Sequence, residues 1–111
     1  MIRFKPEVRI VMLTEQLATV LVQAALWSLR TRVEVEVNSV DDGPNIHMQQ
    51  TLHGYSLAVD LDTAGDKADE TEELAQFLRR ALDPQFDVLL ESNHVHVEWD
   101  ARRPPLRKLA T

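Results

Sequence analysis

The sequence contains no cysteine among its 111 residues, which excludes disulfides, thiolate metal sites and cysteine nucleophiles. Its three glycines, Gly43, Gly54 and Gly65, are scattered and form no phosphate-binding loop. No apolar run reaches the roughly 18 residues of a transmembrane helix, and Glu7 and Glu15 interrupt the apolar run that a signal peptide needs. The net charge of −6 argues against a nucleic-acid-binding surface. We therefore expect one compact domain with neither a membrane nor a nucleic acid as partner.

Two segments have the apolar spacing of helices. Thr14 followed by Glu15 is typical of a helix start, and the apolar residues that follow recur at helical spacing up to Leu29. A second helix is predicted from Asp69 to Leu82, with acidic residues in its first turns and basic residues in its last turn.

Four segments have the pattern of strands, and their connections have the composition of turns. Alternation or apolar content predicts strands over residues 32–38, 57–61, 86–90 and 94–99. The last two strands are predicted to be joined by a tight Ser92-Asn93 turn. Residues 39–52 are predicted to form an irregular loop. The predicted fold class is α+β, with two helices on a small, mostly antiparallel sheet. It occupies residues 1–100, and residues 101–111, which are basic and contain two prolines, are expected to form an extended tail.

The last predicted strand contains the first candidate functional residues. His94, His96 and Glu98 alternate with apolar residues, so these three side chains share one face of the strand. A histidine pair of this kind is also compatible with an ordinary polar strand face.

The other two histidines lie in one segment that ends in a carboxylate. His47 and His53 belong to "HMQQTLHGYSLAVD", which ends at Asp60. Seven extended residues would separate His53 from Asp60 by about 23 Å, so a shared ion requires a bend, which Gly54 and Ser56 permit. These two residues and one later histidine would give three nitrogen or oxygen ligands and an open fourth position, as in a catalytic zinc site.

Two segments together resemble the D-alanyl-D-alanine carboxypeptidase-like zinc peptidases, the superfamily of lysostaphin-type enzymes and the hedgehog domain. They read "DGPNIHMQQTLHGYSLAVD" and "FDVLLESNHVHVEWD", and the resemblance, strongest to phage and prophage members, covers roughly residues 33 to 100. It implies a hedgehog-like fold and a Zn²⁺ ion held by His53, Asp60 and His96. It also implies hydrolysis of peptide bonds in peptidoglycan stem peptides, as a carboxypeptidase or an endopeptidase.

The resemblance assigns further roles, and this sequence departs from the family pattern in three places. His94 would stand beside the metal, stabilising the oxyanion or passing protons. Asn93 replaces the usual acid before the histidine pair and cannot act as a base, so Glu91 becomes the substitute base. Gly54, Tyr55 and Ser56 replace an aromatic residue, any residue and glycine, and Asp62 stands where a basic residue is common.

Several alternatives and secondary roles accompany this hypothesis. The chain is alternatively an inactive structural or binding module of a phage virion, or, ranked lower, a non-haem iron or cupin-like site. His47, Tyr55 and Asn93 are candidate substrate contacts. The expected partners are a peptidoglycan peptide and other virion proteins, and the expected location is the host cytoplasm or the virion, with action at the bacterial cell wall.

Overall fold

The computed structural model describes residues 1–8, 14–44, 55–63 and 68–100. These residues form an α+β fold, as predicted, with two helices and one five-stranded sheet. In chain order the elements are β1 (Ile2–Phe4), α1 (Glu15–Thr31), β2 (Val35–Pro44), β3 (Tyr55–Thr63), α2 (Ala68–Ala81), β4 (Phe86–Leu90) and β5 (Val95–Asp100).

The sheet is mixed, whereas the sequence predicted a mostly antiparallel one. Its strand order is β1-β2-β3-β5-β4, and β1 pairs with β2 in parallel while the other three pairings are antiparallel. Strand β1 was not predicted, because three residues are too few to display an alternation. The parallel pairing is possible because α1 carries the chain back along the sheet before β2 begins.

Helix α1 begins and ends with specific caps. The Thr14 hydroxyl accepts a hydrogen bond from the Leu17 N–H at 3.1 Å, as a helix N-cap does. The helix continues to Thr31, two residues beyond the predicted end, and Arg32 then adopts a left-handed conformation with φ 62°. The Arg32 N–H donates to the Ser28 carbonyl at 2.8 Å, which satisfies one of the last helical acceptors.

The core lies between the two helices and one face of the sheet. Alternate residues of β3 and β5 are fully or almost fully buried there and pack with apolar residues of both helices in one cluster: Leu57, Val59, Leu61, Val95 and Val97 from the strands, and Leu17, Val20, Leu74 and Leu78 from the helices. The predicted alternation of β3 and β5 is therefore confirmed. The opposite side of the sheet, here called the open face, carries the half-buried Asp60, His96 and Glu98.

Strand β2 is longer than predicted and contains an irregularity. Residues 39–44, predicted to belong to a loop, extend β2 and pair with β3 up to Tyr55. The register shifts between Val37, which pairs with Leu61, and Ser39, which pairs with Asp60. Asn38 is thus an extra residue, a β-bulge, and Ser39 lies directly opposite Asp60. The rest of the predicted loop, residues 45–52, and the predicted tail, residues 101–111, lie outside the described residues.

The β4–β5 connection is the predicted tight turn. The Glu91 N–H donates to the His94 carbonyl at 2.9 Å, so Ser92 and Asn93 lie between two facing residues. The turn brings the Glu91 side chain beside His94. In the part of the chain that the structure describes, neither helix has the length and apolar character required to cross a membrane.

Candidate metal centre

Asp60 and His96 are direct neighbours across two strands. They are register partners in the antiparallel pairing of β3 with β5, and both point to the open face. His96 Nδ1 lies 2.6 Å from Asp60 Oδ1, and the two side chains are 21% and 30% exposed. Two of the three predicted zinc ligands are therefore brought together by the strand register itself.

The second ring nitrogen of His96 also faces a carboxylate. His96 Nε2 lies 2.8 Å from Glu98 Oε1, since residues two apart on a strand share one face. A carboxylate oxygen accepts hydrogen bonds, so both contacts favour a ring that carries a proton on each nitrogen. Burial by itself lowers the pKa of His96, but the hydrogen bonds to Asp60 and Glu98 and the charges of these two groups raise its pKa above 6.5.

His94 lies beside this pair, and its side chain contacts Glu91 and Asn93 at the β4–β5 turn. Its Nε2 atom is 2.9 Å from Glu91 Oε1 and 3.7 Å from Asp60 Oδ1. Its Nδ1 atom is 2.9 Å from the side-chain oxygen of Asn93. His94 therefore connects the predicted substitute base, Glu91, to the predicted ligand Asp60.

Asp60 is the common partner of the cluster. Its Oδ1 atom faces both histidines, while its Oδ2 atom accepts a hydrogen bond from the Ser39 hydroxyl at 2.9 Å. This Ser39 contact was not predicted from the sequence, because Ser39 was assigned to a loop. Only the bulge at Asn38 places the Ser39 side chain on the open face opposite Asp60.

The donor atoms suit zinc by type, and one contact between them has to open to admit an ion. Four ligands at about 2.0–2.1 Å from a tetrahedral zinc ion are separated from one another by about 3.4 Å. The separation of 3.7 Å between His94 Nε2 and Asp60 Oδ1 is close to this value, but His94 is not one of the predicted ligands. The 2.6 Å contact of His96 with Asp60 is a hydrogen bond that has to open before an ion can lie between them.

A complete metal site is not formed by the described residues alone. Within residues 1–8, 14–44, 55–63 and 68–100, no three or more His, Asp or Glu side chains are arranged to hold a metal ion. The third predicted ligand, His53, and the predicted substrate contact His47 lie outside these ranges, as does Gly54. Asp60 and His96 are thus the part of the predicted ligand set that can be compared with a zinc site.

The predicted bend between His53 and Asp60 is constrained by β3. The strand is continuous from Tyr55 to Thr63, so Ser56 lies within an extended segment and does not supply a bend. From Tyr55 to Asp60 the strand covers about 17 Å at about 3.3–3.4 Å per residue. A bend that brings His53 towards Asp60 has to precede Tyr55.

A cavity of about 300 Å³ lies beside the turn, between the β4–β5 hairpin and the first turns of α2. Glu91 and Asn93 contribute to its lining and also contact His94. The other lining residues are Asp62, Thr71, Glu72, Leu90 and Ser92. The candidate base therefore lies between the histidine cluster and a space open to a ligand.

Comparisons with known proteins leave the family unassigned. The sequence matches no family model, and the search of curated proteins finds no match.

Proposed function

We propose that the protein is a zinc-dependent peptidase that hydrolyses peptide bonds in peptidoglycan stem peptides, on a D-alanyl-D-alanine peptidase-like, hedgehog-like fold. The observation that carries this proposal is the pairing of Asp60 with His96 across adjacent strands, with His94 and Glu91 beside them. The α+β fold supports it at the level of fold class. The proposed substrate class comes from the resemblance of the sequence motifs that contain these residues to the D-alanyl-D-alanine carboxypeptidase-like family.

The proposed ligands are His53, Asp60 and His96, with Asp60 binding through Oδ1 and His96 through Nδ1, the two atoms that face each other. The chemistry that zinc supplies when bound is polarisation of the substrate carbonyl and a lowered pKa for a coordinated water. Because His96 Nε2 faces Glu98, this carboxylate would hold the ligand ring in place from its far side. His53 can join the site if the chain before Tyr55 turns back along the open face.

Glu91 and His94 are proposed to handle protons. Glu91 Oε1 contacts His94 Nε2 at 2.9 Å, and the Glu91 side chain is 49% exposed, so it can reach a substrate or a water at the cavity. In the proposed reaction Glu91 accepts the proton of the attacking water and passes it to the departing amine. His94 stands beside Asp60 and donates a hydrogen bond to the oxygen that gains charge.

The proposed substrate contacts are His47, Tyr55 and Asn93. Asn93 lines the cavity with Glu91, and its amide can donate hydrogen bonds to a peptide carbonyl. His47 lies outside the described residues, and Tyr55 enters only as the first residue of β3. The proposed site of action is the bacterial cell wall, with other virion proteins as further partners.

Two observations favour a second function, an inactive structural or binding module of a virion. Both ring nitrogens of His96 have carboxylate partners within the protein, in Asp60 and Glu98. Asn93 also occupies the position of the usual acid, and its oxygen is used by His94. A histidine held in this way can serve the stability of the sheet alone.

The test is metal analysis and peptidoglycan digestion with protein purified without a histidine tag. For the wild type, we expect one zinc per chain and release of new amino termini or free D-alanine. The His53→Ala, His96→Ala double variant should lose the zinc, and Glu91→Gln should keep the zinc while losing about 10²- to 10⁴-fold in rate. Asp41→Asn, an exposed acid of the same face opposite Ala58, is the matched control and should change neither result.

The outcomes separate the two functions. Zinc binding without cleavage would support the module in a form that keeps its metal. Sub-stoichiometric zinc that is unchanged in the double variant would overturn the peptidase proposal.

A further inference from the structure

The bulge in β2 has a local cost. Asn38 is the extra residue of the strand, and its side-chain oxygen is buried with no hydrogen-bond partner among the described residues. A buried polar atom without a partner destabilises a fold. Bulges occur often beside functional sites, where they redirect a side chain.

The side chain that this bulge redirects is Ser39. Val37 lies opposite Leu61. If the pairing continued from there without a bulge, residue 38 would lie opposite Asp60, and the Ser39 side chain would point towards the core. With the bulge, Ser39 faces Asp60 and donates its hydroxyl hydrogen to Oδ2 at 2.9 Å. Val40 consequently returns to the core side, opposite the buried Val59.

We infer that Ser39 is a positioning residue for the proposed metal ligand Asp60. This inference rests on the proposed function, since it concerns how Asp60 is presented to a zinc ion. The Ser39 hydroxyl occupies Oδ2, which leaves Oδ1 facing His96 and His94. A carboxylate held in this way would present one oxygen to a zinc ion and would be hindered from the two-oxygen binding common for calcium.

The test compares side chains of equal shape at position 39. Ser39→Thr keeps the hydroxyl and Ser39→Val replaces it with a methyl group, and both are β-branched residues suited to a strand. Zinc affinity is measured by competition with a chelator, and the coordination number is read from the visible spectrum of the Co²⁺-loaded protein. The control is Thr19→Ala, which removes an exposed hydroxyl of α1 that donates to the Glu15 carbonyl.

We expect Ser39→Thr to bind zinc like the wild type and Ser39→Val to bind it about 10- to 100-fold more weakly. The Co²⁺ spectrum of Ser39→Val should also weaken, because Asp60 becomes free to bind through both oxygens and raise the coordination number. Thr19→Ala should leave the affinity and the spectrum unchanged. Ser39→Ala, with a smaller side chain, provides a second hydroxyl-free variant and should behave like Ser39→Val.

Two results would contradict the inference in distinguishable ways. If the wild type binds zinc and Ser39→Val binds it equally well with the same Co²⁺ spectrum, Ser39 does not position Asp60, while the zinc site stands. If the wild type binds no zinc, the proposed function fails and the role of Ser39 fails with it.

Discussion

The two faces of the sheet use the same strands for different purposes. On β3, Val59 and Leu61 are fully buried against the helices, while Asp60, between them, lies on the open face with His96. The helix-covered face is apolar and supplies the stability of the fold. The open face carries the ionisable cluster, which contributes little buried apolar area. The difference indicates that stability and the proposed chemistry can be changed separately by substitutions one residue apart.

The largest expected effect comes from the helix-covered face. Leu61→Ala should lower the free energy of unfolding by about 2–5 kcal/mol, because it removes a fully buried side chain from the core. Leu89→Ala is the matched control, since Leu89 is 41% exposed and pairs with His96 on the other side of the sheet. It should cost less than about 1 kcal/mol. Chemical denaturation measures both, and equal losses would contradict the distinction between the two faces.

A substitution at the N-cap of α1 tests the helix-covered side of the sheet, with a smaller expected change in the free energy of unfolding. Thr14→Ala should lower the free energy of unfolding by about 1 kcal/mol, because the Leu17 N–H loses its acceptor. Zinc affinity, measured by chelator competition, should stay the same, since Thr14 caps a helix that packs on the opposite face of the sheet from Asp60 and His96. A change in affinity as large as that expected for Ser39→Val would show that the two layers are coupled.

The pH dependence of stability tests the open face in the absence of metal. The folded-state pKa of His96 is raised above 6.5, so its contribution is fully present below about pH 6.5 and is lost as the pH rises through the raised pKa. His96→Gln should remove this part of the pH dependence, as measured by denaturation in the presence of a chelator. Glu98→Gln, which removes one of the groups that raise the pKa, should move the loss to lower pH. A wild-type profile identical to that of His96→Gln would contradict the assignment.

The smallest effect is expected at the edge of the open face. Arg3 contacts Glu36 at 2.9 Å and Glu34 at 3.5 Å, but its side chain is 54% exposed. Arg3→Gln should change the free energy of unfolding by less than about 1 kcal/mol, and by less still at high salt. A larger loss that persists in high salt would show that this edge contributes to stability as the core does.

The sequence allowed both helices, the α+β class and the faces of β3 and β5 to be predicted, because each depends on a local spacing of apolar residues. The pairing of β1 with β2 could not be predicted, because three residues carry too little pattern. The extension of β2 through residues 39–44 was also missed, since a segment with two aspartates, a glycine and a proline becomes a strand only through its pairing with β3.

The candidate site could be predicted from the sequence only in part. Asp60 and His96 were recognised from their motifs, and the register then brought them together. The contacts of Ser39 with Asp60 and of Glu98 with His96 were missed. Ser39 depends on the bulge at Asn38, and the Glu98 contact depends on which way the His96 ring points.

We propose that Asp60 and His96 form part of a zinc site on the open face. This site is tested by titrating zinc into protein labelled with ¹⁵N in its four histidine rings. The chemical shifts of the ring nitrogens are recorded by NMR at each zinc concentration. We expect the shifts to saturate at one zinc per chain, with the Nδ1 of His96 losing its proton and taking the shift of a metal-bound nitrogen. The absence of any saturable change at His96 would contradict it.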